Sequence, residues 1–164
     1  MKLEQISKWI TSDTMSTQVD DAVIKSWLLE TGPITKRIQL NEKFNLIVLK
    51  DEVDHYSSEE KDFLGVVESE IKIREVILMG NNKPKVFARS LIPVITINEG
   101  FSKLGELGNK PLGDILFEKD FFTKKQTVYC RFKDNDSLYW ARKTKYEVNK
   151  LPLSVMEVFL INVQ

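Results

Sequence analysis

Cysteine and histidine are almost missing from this chain, which holds one of each, Cys130 and His55, in 164 residues. A lone cysteine excludes an intramolecular disulfide, and with a lone histidine it leaves no cluster of the kind that zinc or a thiol–imidazole pair requires. His55 lies in the polar junction Asp51-Glu52-Val53-Asp54-His55-Tyr56 and is expected to be an exposed loop residue. Charge is balanced, 24 basic residues against 24 acidic, which argues against a nucleic-acid partner. The basic stretches Lys124-Lys125 and Arg142-Lys143-Thr144-Lys145 alternate with apolar residues at strand spacing and read as solvated sheet faces. No window approaches the roughly 20 apolar residues needed to span a bilayer, so a soluble, unsecreted, cytoplasmic protein without membrane insertion is expected. There is no Gly-x-x-x-x-Gly-Lys-Ser/Thr loop, no Gly-x-Gly-x-x-Gly after a strand and no Gly-x-Ser-x-Gly elbow. Nucleotide and hydrolase readings lack their usual supports, and a site without metal or cofactor is the default.

What is present is a globular composition, 42% hydrophobic and 29% charged, in a length suited to one domain over residues 1–164. Asp20-Asp21 open an amphipathic stretch with Val23, Ile24, Trp27 and Leu28 on one side, closed by Thr31-Gly32-Pro33. Ile34-Thr35-Lys36-Arg37 predicts a short helix, and Ser57-Ser58-Glu59-Glu60 has the cap chemistry of another. Residues 98–107 read as helical, followed by a loop at 108–113 and a further helical turn at Asp114–Phe117. Strands are predicted at 44–49, 70–79, 85–92, 124–133, 137–148 and 153–162. The Gly80-Asn81-Asn82-Lys83-Pro84 turn makes the clearest hairpin. Consecutive strands with short turns predict an α+β fold on a six-stranded antiparallel sheet. No repeat or linker divides the chain, and residues 1–20 receive no assignment. A monomer is expected, because no long apolar stripe is left over.

Three of these strands carry an ionisable residue on a face otherwise apolar. With a side-chain period of two, Arg74 shares its face with Val76 and Leu78, Arg89 sits among Phe87 and Leu91, and Glu157 aligns with Val155 and Phe159. A charge there costs several kcal/mol unless partnered, so these groups need each other, water or a polar ligand. An Arg74–Glu157 ion pair of purely structural value satisfies the same pattern, as does a small anionic ligand with a second polar end.

Seven blocks decide how to weigh these readings: Trp27-Leu28-Leu29, Ile34-Thr35-Lys36-Arg37, Arg74-Glu75-Val76-Ile77-Leu78, Phe87-Ala88-Arg89-Ser90-Leu91-Ile92-Pro93, Leu107 through Phe117, Trp140-Ala141-Arg142-Lys143, and Glu157-Val158-Phe159-Leu160. In this order and near this spacing, over residues 23–161, they resemble the chorismate lyase family. The resemblance implies helical flaps over a buried ligand pocket and conversion of chorismate to 4-hydroxybenzoate and pyruvate without a cofactor. It implies that Arg74 and the Ile34 main-chain N–H hold the ring carboxylate. Glu157 and the Leu112 N–H would take the ring hydroxyl, and Arg89 is the candidate for the enolpyruvyl carboxylate. The product would feed a quinone or another 4-hydroxybenzoate derivative. The last turn departs from the family's Lys-Pro-Leu, reading Lys150-Leu151-Pro152-Leu153, and a one-residue slip there would turn Glu157 off the pocket face. The rival reading is a non-catalytic domain of the same fold that binds an aromatic acid.

Overall fold

The computed structural model describes residues 1–66, 69–118 and 120–161. A seven-stranded antiparallel sheet forms its frame, in the order β1-β5-β6-β7-β4-β3-β2. The strands are β1 (Glu4–Gln5), β2 (Phe44–Val53), β3 (Ile71–Gly80), β4 (Lys83–Pro93), β5 (Thr123–Asp134), β6 (Ser137–Val148) and β7 (Leu151–Phe159), with residue 162 of the last predicted strand outside the described residues. The helices are α1 (Ser12–Gln18), α2 (Ala22–Leu28), α3 (Ile34–Gln39), α4 (Ser58–Leu64) and α5 (Leu112–Leu116).

The expected six strands are therefore seven, because Glu4 and Gln5 pair with Lys133 and Phe132 of β5. Two residues of strand carry no periodicity, so nothing in the sequence marks them. The helix predicted over 98–107 is instead a π-helical turn, Thr96–Gly100, and a 3₁₀ turn, Ser102–Gly105, separated by extended Phe101. Gly100 sits where a Cβ would come within 3.0 Å of the Val148 side chain, so close packing on β6 overrides helix continuity. Ser57 and Glu60 form the expected reciprocal capping box of α4.

Two-residue turns set the register. Asn81 and Asn82, at φ 49° and 62°, join β3 to β4, and Asn149 and Lys150, at φ 50° and 64°, join β6 to β7. Pro152 causes no slip: β7 begins pairing with β4 only at Ser154, opposite Leu91, so the missing N–H lies outside that ladder. Arg74 opposes Ser90, Val76 opposes Ala88, Ala88 opposes Glu157 and Glu157 opposes Arg142, which brings all of them to one sheet face. Helices α1, α2, α3 and α5 cover that face; α4 and the residues around Leu3 and Trp9 cover the other.

Cover on both faces corrects the reading of Arg142–Lys145 as solvated. Arg142 and Lys143 are buried, at 8% and 5% exposure. Lys143 lies between the rings of Trp9 and Phe63, 4.2 and 4.4 Å from their centroids, because the unassigned N-terminal segment folds over that part of the sheet. Its neighbour Cys130 is fully buried, and burial, opposed in part by Lys143 and reinforced by the Glu59 carboxylate, pushes the thiol up to about 12. Cys130 is expected to resist a thiol-specific reagent at pH 8 in the native protein and to react within seconds of unfolding. Stoichiometric labelling of the native state would contradict this placement.

Candidate functional site

Between the sheet and the α2–α3 and α5 segments lies a cavity of about 60 Å³. Its floor includes Arg74, Val76, Ala88, Ser90, Arg142, Tyr146, Val155 and Glu157; its roof is Gly32–Thr35 and Pro111–Gly113, with Leu116 and Phe117 beside them. Pro33 and Pro111 are the N-cap residues of α3 and α5, and neither helix start has a side-chain cap. The first main-chain donors of both helices, at Ile34 and Leu112, therefore remain available at the cavity.

Arg74 is the largest fully buried side chain, at 2% exposure. Its Nη1 donates to Asp51 Oδ2 at 3.0 Å and its Nη2 to the Lys110 carbonyl at 2.8 Å, which leaves three of the five guanidinium N–H groups without a partner among the described residues. Burial pulls the Arg74 pKa down, and Asp51, which also contacts Lys72 Nζ at 3.1 Å, works against that pull. Asp51 had no signal in the sequence. A bulge between Val48 and Lys50 sets it, rather than Lys50, opposite Arg74.

At the other end Glu157 Oε1 accepts from Arg142 Nε at 2.7 Å, and Oε2 has no partner among the described residues. Arg142 Nη1 donates to the carbonyls of Leu28 and Glu30, at 3.2 and 2.7 Å, so this buried arginine also ties down the end of α2 and the start of the roof loop. Burial lowers the Arg142 pKa, but the Glu157 carboxylate, with Tyr146 and Tyr129, offsets it and the net shift is upward. Tyr146, on the same floor, is pushed up to about 12 by burial and by Glu157, so its hydroxyl stays neutral and able to donate.

Arg74 and Glu157 thus share one cavity and are not partners of each other: each is held by a different protein charge. With β4 between their strands and an offset of two residues along them, their backbones stand about 12 Å apart, which leaves room for one ring between the side chains.

Arg89 is elsewhere. It lies on the opposite sheet face, with Nε 2.7 Å from Glu60 and Nη1 3.1 Å from Glu75, and its expected place in the pocket is corrected. The cause is a bulge. Across the turn Gly80 opposes Lys83 and Met79 opposes Pro84, but Leu78 opposes Val86, so one extra residue, Lys85, enters β4 and moves every later side chain to the other face. Without it Arg89 would oppose Arg74. Burial pushes the Glu60 carboxyl up, and hydrogen bonds from Arg89 and the Ser57 N–H outweigh this and hold it below the ordinary carboxylate range. The clamp of α4 to the sheet is therefore intact at neutral pH and lost as the pH falls below that range, through the depressed pKa of Glu60. Arg89→Ala is expected to destabilise the fold by about 1–3 kcal/mol, because two carboxylates lose their partner. Denaturant unfolding unchanged from the parent would contradict it.

The sequence profile described as chorismate lyase matches residues 3–164. A Pseudomonas putida protein named probable chorismate pyruvate-lyase is 34% identical over 163 residues, covering 93% of this chain and 89% of the relative. The chain belongs to the chorismate lyase family. A Photobacterium profundum protein of the same name is 30% identical over 158 residues, covering 94% of this chain and 86% of its own. Among solved structures, the C-terminal domain of the histidine utilization repressor from Pseudomonas syringae pv. tomato has a TM-score of 0.55 at 6% identity, covering 74% of this chain and 96% of that one. A GntR-family transcriptional regulator from Enterococcus faecalis has a TM-score of 0.51 at 13% identity, covering 74% and 93%. These two carry the fold alone. The chorismate lyase profile takes in the N-terminal segment that covers Lys143, so that segment is part of the family's domain.

Proposed function

We propose that this protein is a lyase that converts chorismate to 4-hydroxybenzoate and pyruvate. The observation that carries the proposal is the pair of charges lining one cavity, Arg74 with unfilled donors and Glu157 with an unfilled acceptor oxygen.

Chorismate has a ring carboxylate, a hydroxyl on C4 and an enolpyruvyl ether on the adjacent C3. Breaking the C3–O bond sends its electron pair to the departing enolpyruvate; loss of the C4 hydrogen makes the ring aromatic, and a proton on the enolpyruvate methylene gives pyruvate. Arg74 takes the ring carboxylate, for which a planar fork is better suited than an ammonium. The Ile34 N–H joins it. Glu157 Oε2 accepts from the C4 hydroxyl, and the Leu112 N–H donates to that hydroxyl's oxygen. Held by Arg142, Glu157 serves as an acceptor that fixes the ring, and the protein's contribution is alignment, worth about 7–11 kcal/mol in the best intramolecular cases.

The cavity exceeds the roughly 10–15 Å³ that one water needs but falls short of the roughly 150 Å³ in which a benzene ring has been held. The two roof segments must therefore part for a ring to pass, and a flat acid gripped at both ends leaves slowly. Rapid mixing with excess chorismate is expected to give a burst of 4-hydroxybenzoate equal to the enzyme concentration; linear formation from the first turnover would contradict slow release. The defining test is incubation of purified protein with chorismate. Equal amounts of 4-hydroxybenzoate and pyruvate are expected, and tight binding of 4-hydroxybenzoate with no pyruvate would support the binding-domain reading.

A further inference from the structure

Displacing Arg89 from the pocket leaves the second carboxylate of the substrate without a partner, and the cavity holds one other buried cation. We propose that Arg142 receives the enolpyruvyl carboxylate through Nη2. This rests on the lyase reading above.

The enolpyruvyl ether is on C3, next to the C4 hydroxyl, so whatever holds that hydroxyl has the side chain beside it. Glu157 is the hydroxyl's acceptor, and Arg142 is its direct neighbour, opposite it across the β6–β7 ladder and hydrogen-bonded to it at 2.7 Å. Nε is spent on Glu157 and both Nη1 hydrogens on the Leu28 and Glu30 carbonyls, whereas the two Nη2 hydrogens have no partner among the described residues. A guanidinium at 8% exposure with one whole amino group unfilled in a cavity is costly unless an acceptor arrives. Arg74 and Arg142 are each paired with one carboxylate, Asp51 and Glu157, so what Arg142 has to offer is donors, its free Nη2 group, and not surplus charge. Those donors face the end where negative charge builds on the departing enolpyruvate.

A purely structural Arg142, tying α2 and Glu157 in place, has a different signature, since its loss weakens every ligand alike. Benzoate and 3-[(1-carboxyvinyl)oxy]benzoate, which differ only by the enolpyruvyl group, separate the two. In the parent the enolpyruvyl compound is expected to bind about 10–100-fold more tightly than benzoate, the range for a hydrogen-bonded charge pair. In Arg142→Lys, which keeps a cation beside Glu157, that advantage, measured as the ratio of the two affinities within the variant, is expected to shrink to under about 3-fold. Equal weakening of both compounds, or an advantage that survives, overturns the proposal. Nitrogen-15 spectra of the parent give a second reading that needs no variant: the Arg142 guanidinium signals should shift with the enolpyruvyl compound and not with benzoate, and identical responses overturn it. If the parent turns chorismate over but the advantage ignores Arg142, this proposal fails and the lyase reading stands. If the advantage depends on Arg142 but no pyruvate forms, the subsite stands and the lyase reading fails.

Discussion

Arg74→Ala is expected to weaken 4-hydroxybenzoate binding by about 10²–10⁴-fold and to lower kcat/KM for chorismate at least as much, from the usual cost of about 3–5 kcal/mol for removing one member of a buried charged pair. Calorimetric titration measures the first and the appearance of product the second. Asp51 and the Lys110 carbonyl lose their donor in this variant, so the fold is expected to weaken too. Arg74→Lys separates the two effects: a point charge restores stability but cannot offer two parallel donors, so binding stays impaired. Binding within 3-fold of the parent in Arg74→Ala would remove the ring-carboxylate grip.

Glu157→Gln should show which role the carboxylate plays. A positioning acceptor acts on ground state and transition state together, so 4-hydroxybenzoate affinity and kcat/KM are expected to fall in parallel, by about 10–100-fold, the worth of one hydrogen bond to a charged group. A base that removes the C4 hydrogen acts in the transition state alone, and its loss would cost about 10²–10⁴ in kcat with affinity untouched. The second pattern would require the mechanism to be rewritten around proton abstraction.

Much of the architecture was legible because its signals are local. Asn-Asn turns, the Ser57–Glu60 capping box and strand alternation each act within a few residues, and the strands, α4 and the β3–β4 hairpin follow from them. The face of Glu157 followed from period two alone, and the Lys150-Leu151-Pro152 departure did not disturb it, since the turn absorbs two residues whatever their identity. Arg89 was misplaced for a complementary reason. One bulged residue, Lys85, inverts parity, and a bulge next to Pro84 has no unambiguous mark in a single sequence. Asp51 and Arg142 escaped because their partners are far away in sequence, 23 and 15 residues, and charged residues in alternating strands read as solvated until something is known to cover them. The cover over Lys143 is the segment 1–20 that the pattern could not place.

The account depends on a ring held between a cationic end and an acidic end of one cavity. A crystal structure of the protein soaked with 4-hydroxybenzoate tests that most directly. The carboxylate is expected within hydrogen-bond distance of Arg74, and the hydroxyl on Glu157 Oε2. A ring bound outside the roof segments, or inside with its carboxylate at Arg142 and its hydroxyl at Arg74, would contradict it.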